Sequence, residues 1–198
     1  MAYSQLWYAL TLAGTPVYWA ILSLSLLAGY LALRTFSGGN PLWEKHRPHI
    51  KRILLILILS LWIFFGTVIA MKSLIYIPRP CIVCTSSLAC NPLCLEDSSF
   101  PSGHAGTIFV VFTSLYVGTR RRIKKDGLTQ SNKAVNLKII PLFTIPLLVS
   151  YSRVALGVHT LLDISAGALL GLLLTITVSV MLQKWHKAWR ILLVFLRH

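Results

Sequence analysis

Apolar and charged positions along this chain are segregated into long blocks rather than mixed at short period. Residues 1–33 carry no charged side chain, and uncharged runs recur at 53–71, 103–119, 139–152 and 164–183, interrupted only by His104. A helix crossing the hydrocarbon core of a bilayer needs about 20 such residues. Four runs fit, and 139–152 does so with its helix continued past Arg153. The pattern predicts an all-α fold, a polytopic transmembrane helical bundle of five spans, or six if residues 1–13 add a half-length one. Pro16 suits the first turn of a helix, so the aromatic stretch Tyr3–Leu12 before Gly14-Thr15-Pro16 is read as lying flat on the outer surface. It lacks the positive flank of a signal peptide. No internal repeat divides the chain, and residues 1–198 are read as a single integral-membrane domain.

Composition sharpens this picture. The chain is 56% hydrophobic and 12% charged, too apolar for an ordinary soluble domain. A net charge of +14 would suggest nucleic acid in a soluble protein, but the positions of the charges argue otherwise. Sixteen of the 19 basic residues fall on alternate connections: Arg34 to Arg52, Arg120 to Lys138, and Lys184 to Arg197. In a five-span chain these share one side, which the positive-inside rule makes cytoplasmic. Nucleic acid is not a predicted partner, and no protein partner is predicted; the basic links sit against anionic headgroups of the bilayer lipids. The tail from Lys184 suits either a helix along the inner face or a simple helix end. Only Lys72, Arg79 and Arg153 remain, all at the outer ends of spans.

Three clusters at that outer face carry chemistry. In the first, Lys72 and Arg79 are seven residues apart, so a helix continued past Lys72 would put both on one face, with Pro78 and Pro80 ending it. The second, Pro101-Ser102-Gly103-His104, reads as a helix start: Ser102 caps, Gly103 lets a ligand approach the backbone, and the free amides favour an anion beside His104. The third runs from Ser152 and Arg153 to His159 and Asp163, where a spacing of four puts the carboxylate on the face of His159, able to accept the Nδ1 proton and present Nε2 as nucleophile. Taken singly, each has a bland explanation: a snorkelling cation, a cap that happens to precede a histidine, a hydrogen-bonded polar pair. Together they supply a nucleophile, a general acid and an anion clamp, the set that phosphoryl transfer needs. The five acidic residues, Glu44, Glu96, Asp97, Asp126 and Asp163, are scattered along the chain. They offer no two-metal carboxylate site, so neither a metal nor another cofactor is expected.

With Lys-x6-Arg-Pro at 72–80, Pro-Ser-Gly-His at 101–104 and Ser-Arg-x5-His-x3-Asp at 152–163, the chain resembles the type 2 phosphatidic acid phosphatase family. The resemblance implies a helical bundle in which His159 becomes phosphorylated, Asp163 orients it, and His104 protonates the leaving group. It also implies that Lys72, Arg79, Ser102, Gly103 and Arg153 bind phosphate. The implied substrate is a membrane lipid phosphate or diphosphate: lipid A 1-phosphate, undecaprenyl diphosphate, phosphatidylglycerol phosphate or phosphatidic acid. Lipid-to-lipid phosphotransfer is a variant of the same chemistry, and a non-catalytic lipid-binding or transport protein would lack a nucleophile, acid or carboxylate that is present here. Vanadate haloperoxidases share the constellation but not the membrane spans. Larger family members have six spans against the five read here. The small size and short loops point to a prokaryotic inner membrane, with the site facing the periplasm or exterior.

Cys81, Cys84, Cys90 and Cys94 lie within 14 residues on the outer connection. Close pairs of this kind suit either disulfides or zinc, and outside the cytoplasm disulfides are favoured. Four cysteines allow three pairings. A braced loop here would tie the first cluster to the second.

Overall fold

The computed structural model describes residues 2–36, 40–83, 94, 96–125 and 132–195, and the regular structure among them is helical throughout. In chain order the helices are α1 (Ala2–Leu12), α2 (Pro16–Phe36), α3 (Pro41–Leu74), the short α4 (Pro80–Val83), α5 (Gly103–Lys125), α6 (Asn132–Ala155) and α7 (Leu161–Phe195). Among the described residues, three stretches are long and apolar enough to cross a membrane: Gln5–Phe36, Pro41–Leu74 and Leu161–Trp185. Leu142–Ala155 is a shorter apolar helix. Long apolar runs become helices because backbone in hydrocarbon can satisfy its N–H and C=O groups only internally.

Several helix boundaries differ from those the charge pattern suggested. Asn40 caps α3, its Oδ1 accepting from the amides of Leu42 (3.0 Å) and Trp43 (3.3 Å), with Pro41 in the first turn. Lys45 to Arg52 therefore belong to the opening turns of a helix, and the link expected over 35–52 is shorter. Likewise α5 runs through its basic stretch to Lys125 and α6 starts at Asn132. Lys and Arg are good helix formers; their charge ends membrane burial without ending the helix. α6 does pass Arg153 and stops at Ala155. α7 has 35 residues, about 50 Å at 1.5 Å per residue, so the basic tail prolongs a span rather than following it.

The opening stretch forms a helix of its own that is joined to the bundle. α1 packs on α6, with Trp7 edge-on to Tyr151 at 5.6 Å and Thr11 buried. The chain turns at Ala13–Thr15 through Gly14 N–H to Thr11 O (3.0 Å) and Thr15 N–H to Leu12 O (3.1 Å).

α5 is the central helix, with α3, α6 and α7 packed on it. Leu57, Leu61, Phe64 and Val68 of α3 meet Val110 and Val111 of α5, and Ile108 and Phe109 of α5 meet Val149 of α6. Trp62, Ile69, Leu169, Leu173 and Met181 point outward, an apolar surface of the kind that faces lipid in a membrane. Between hydrocarbon-solvated helices close packing replaces the hydrophobic effect, and small residues allow it. The Gly167-x3-Gly171 pair of α7 does this against α5: a methyl group added at Gly167 would strike the carbonyl of Ser102, and one at Gly171 would come within 2.5 Å of the Gly106 carbonyl.

α3 and α6 end, and α5 and α7 begin, at one end of the bundle. Gly118 of α5 lies against Ile53 of α3 towards the other end, where the basic runs gather. Lys72, Arg79 and Arg153 are thus at the opposite end from most of the positive charge.

Candidate active site

The turn between α6 and α7 explains the spacing of the third cluster. Gly157 has φ +71°, a left-handed conformation natural to glycine. Val158 N–H reaches back to Arg153 O (3.1 Å) and Gly157 N–H to Val154 O (2.9 Å), the paired bonds of a Schellman termination. Three residues later Thr160 N–H donates to Asp163 Oδ2 (2.7 Å) and Asp163 N–H to Thr160 Oγ1 (3.2 Å), a reciprocal capping box that opens α7. His159 is the residue between one helix stop and the next helix start. It is not on a helical face with Asp163, as the spacing of four had suggested; the carboxylate comes to it because Asp163 caps the helix that His159 precedes.

The two are close: His159 Nδ1 lies 3.6 Å from Asp163 Oδ2, just beyond hydrogen-bond range. His159 and Asp163 are 3% and 2% exposed. On the other side of the ring, Nε2 is 3.3 Å from Arg79 Nη1, and Arg79 is itself buried.

Arg79 does not arrive there on the helix of Lys72. α3 stops at Leu74, and the chain continues extended to Pro80, as the flanking prolines require. The segment after Cys94 is laid along this stretch. Ser99 N–H donates to Ile77 O (2.8 Å), Ser98 Oγ donates to Ile75 O (2.9 Å) and accepts from Ile77 N–H (3.2 Å). Lys72 and Arg79 meet on one carboxylate instead. Lys72 Nζ is 2.6 Å from Asp97 Oδ2, and Arg79 Nη2 and Nε are 2.5 and 3.0 Å from Asp97 Oδ1. Partial burial would raise the carboxyl pKa, but bonds from Lys72 and Arg79 and their charges outweigh it and hold Asp97 below the ordinary carboxylate range.

The second cluster joins the third through backbone. Ser102 N–H donates to Asp163 O at 3.0 Å, and Ser102 Oγ accepts weakly from Ala105 N–H at 3.5 Å, so Ser102 does cap α5. Gly103 and His104 form the first turn of α5. A methyl group at Gly14 would lie 3.3 Å from His104 O, so the α1–α2 corner closes this side.

Arg153, 3% exposed, donates from Nη1 to Thr11 Oγ1 at 2.7 Å. Thr11 lies 142 residues away in sequence, in a segment read as peripheral. Removing an acceptor from a buried charged donor costs about 1.5–3 kcal/mol. Thr11→Val is therefore expected to raise the KM for an anionic substrate held by Arg153 by about tenfold or more with little change in kcat. Steady-state kinetics in detergent check this, and an unchanged KM would remove Thr11 from the site.

All eight predicted site residues gather at this end of the bundle. Cys81 and Cys94 form a disulfide; Cys84 and Cys90 lie outside the described residues. Among the described residues no three His, Cys, Asp or Glu side chains are grouped to hold a metal ion. Sequence reasoning missed Asp97, Thr11 and the Thr160 cap. Of these only Thr160 left a local trace, in Thr-x2-Asp following a glycine.

A family model for the PAP2 superfamily matches residues 51–187. The chain belongs to the PAP2 superfamily. Among solved structures, this PAP2 chain is similar to a transmembrane PAP2-type phosphatidylglycerolphosphate phosphatase from Bacillus subtilis. The TM-score is 0.61 with 26% identity, over 91% of this chain and 77% of that one. It also matches LpxE from Aquifex aeolicus, with TM-score 0.48 and 24% identity, over 88% and 92% of the two chains. No curated protein matches the sequence. The membership agrees with the apolar helices in making this an integral membrane protein. The PAP2 match begins at Lys51 and so leaves α1 and α2 outside it, including Thr11.

Proposed function

We propose that this protein is a phosphatase that removes phosphate from a membrane lipid phosphomonoester or diphosphate through a phosphohistidine on His159. The observation that carries the reading is the buried imidazole held between Asp163, 3.6 Å from Nδ1, and Arg79, 3.3 Å from Nε2. A carboxylate at one nitrogen favours the tautomer that leaves the other free to attack, and a guanidinium beside that nitrogen meets the phosphoryl oxygens.

In the first step Nε2 forms a bond to phosphorus as the phosphorus–oxygen bond to the lipid breaks, and His104 gives its proton to the departing oxygen. In the second, water attacks phosphohistidine, His104 takes the water's proton, and the N–P bond breaks to release inorganic phosphate. Lys72, Arg79 and Arg153, with the amides at the start of α5, stabilise charge on the equatorial oxygens. No step calls on a metal ion.

The proposed topology has α2, α3, α5, α6 and α7 as five spans, with the site on the non-cytoplasmic face. It is supported by the basic helix ends lying opposite the clamp. A mouth walled by Leu- and Ile-rich helices admits a headgroup while the acyl or prenyl chain stays in the bilayer. Phosphatidylglycerol phosphate is the first substrate to test, given the Bacillus subtilis structure, ahead of lipid A 1-phosphate, undecaprenyl diphosphate and phosphatidic acid. Purified protein is expected to release phosphate from at least one of these four, at the same rate with and without a chelator. Release from none would end the reading; loss of activity on chelation would end its metal-free form.

A further inference from the structure

Asp97 has no part in the chemistry just described, yet it binds two of the three cations at the site. Its two carboxylate oxygens take up Lys72 Nζ and the Nε and Nη2 edge of Arg79. An arginine offers one planar fork per edge. With that edge occupied, both N–H groups of Nη1 and the outer N–H of Nη2 are left, and Nη1 lies 3.3 Å from His159 Nε2 and 3.5 Å from Val158 O. Asp97 and a phosphoryl group on His159 therefore use different sides of the guanidinium and can be bound together.

The placement of Asp97 is built, not incidental. Lys72 Nζ also donates to Ser98 O (2.5 Å), and the bonds from Ser98 and Ser99 to residues 75 and 77 fix the segment against the extended stretch that carries Arg79. The Cys81–Cys94 disulfide joins the chain two residues after Arg79 to the chain three residues before Asp97. Carboxylate and guanidinium are thus held from both sides.

We propose that Asp97 is a positioning residue of this site, holding Arg79 by one edge so that Nη1 faces the nucleophile, and offsetting part of the positive charge from which product phosphate must depart. The inference rests on the phosphatase reading for its kinetic consequence, though not for its effect on anion binding.

Two readouts on Asp97→Asn, Asp97→Glu and the parent test it. Turnover of whichever lipid phosphate the parent hydrolyses should show kcat lowered roughly 100-fold in Asp97→Asn, the scale of an approximately 1 Å misplacement, without a rise in KM and with partial recovery in Asp97→Glu. Titration with inorganic phosphate, followed by tryptophan fluorescence, should show Asp97→Asn binding about tenfold tighter, because two cations have lost their counter-charge. A kcat equal to or above that of the parent would overturn the proposal, since Asp97 would then merely compete for the phosphate seat. A lowered kcat accompanied by a fall in melting temperature and no recovery in Asp97→Glu would also overturn it, in favour of a structural role. Unchanged phosphate affinity would overturn the charge-offset part. If the parent binds phosphate but hydrolyses no lipid phosphate, the phosphatase reading fails, and the effect of Asp97→Asn on phosphate affinity still tests the charge offset.

Discussion

His159→Ala is expected to abolish phosphate release and to leave no acid-labile phosphate on the chain after mixing with radiolabelled substrate. The imidazole is buried between Arg79 and Asp163, and truncation to alanine removes the attacking atom. When one member of a catalytic unit is removed, losses run to about 10⁶ in kcat, with a residue from binding and charge stabilisation alone. Here that residue falls below detection in an ordinary phosphate assay. The variant should still bind inorganic phosphate, because Lys72, Arg79 and Arg153 are untouched; this separates loss of chemistry from loss of fold. Parent-level activity in His159→Ala would sink the histidine-nucleophile mechanism outright.

His104→Ala should give the second largest effect, and its pattern is more telling than its size. A lipid alkoxide is a poor leaving group, so losing the acid should cost about 10²–10⁴ in rate on a phosphomonoester. An aryl phosphate, whose phenolate leaves without a proton, escapes that penalty in the first step but not in the second, where His104 activates water. With such a substrate His104→Ala should load His159 with phosphate and then stall. Acid-labile label should accumulate on this variant and be absent from His159→Ala. Equal losses on both substrates, with no trapped label, would assign His104 to binding instead.

The residue types and spacings of the site were legible in the sequence, whereas the reasons for the spacings were not. His159 and Asp163 were read as sharing one helical face. In the structure Gly157 stops α6 and the Thr160–Asp163 box starts α7, so the same interval encodes a stop, the buried His159 and a start. Those signals are local and could have been read. Lys72 and Arg79 were likewise read as one helical face, yet α3 ends at Leu74 and the pair is united by Asp97. That contact, 18 residues from Arg79, and the contact of Thr11 with Arg153 are products of packing that no periodicity announces. Asp97 was one of five scattered acids, 25 and 18 residues from Lys72 and Arg79, and no spacing marked it as their partner. The long uncharged runs predicted the helices correctly because the hydrocarbon core leaves backbone few options. The links were misjudged because charge reports depth in the membrane rather than where a helix stops.

The seam between α5 and α7 bears on how the site can open. His104 starts one of these helices and His159 precedes the other, and between them glycines bring backbone against backbone at Ser102, Gly106, Gly167 and Gly171, with Ser102 N–H bonded to Asp163 O. Where these backbones touch, no Cβ stands between them, and that leaves the joint little play. The two histidines are therefore set on a close-packed joint, and the breathing that admits a headgroup or lets phosphate go is expected on the facing side, where Arg79 meets Val158 O and His159 Nε2 through one guanidinium nitrogen.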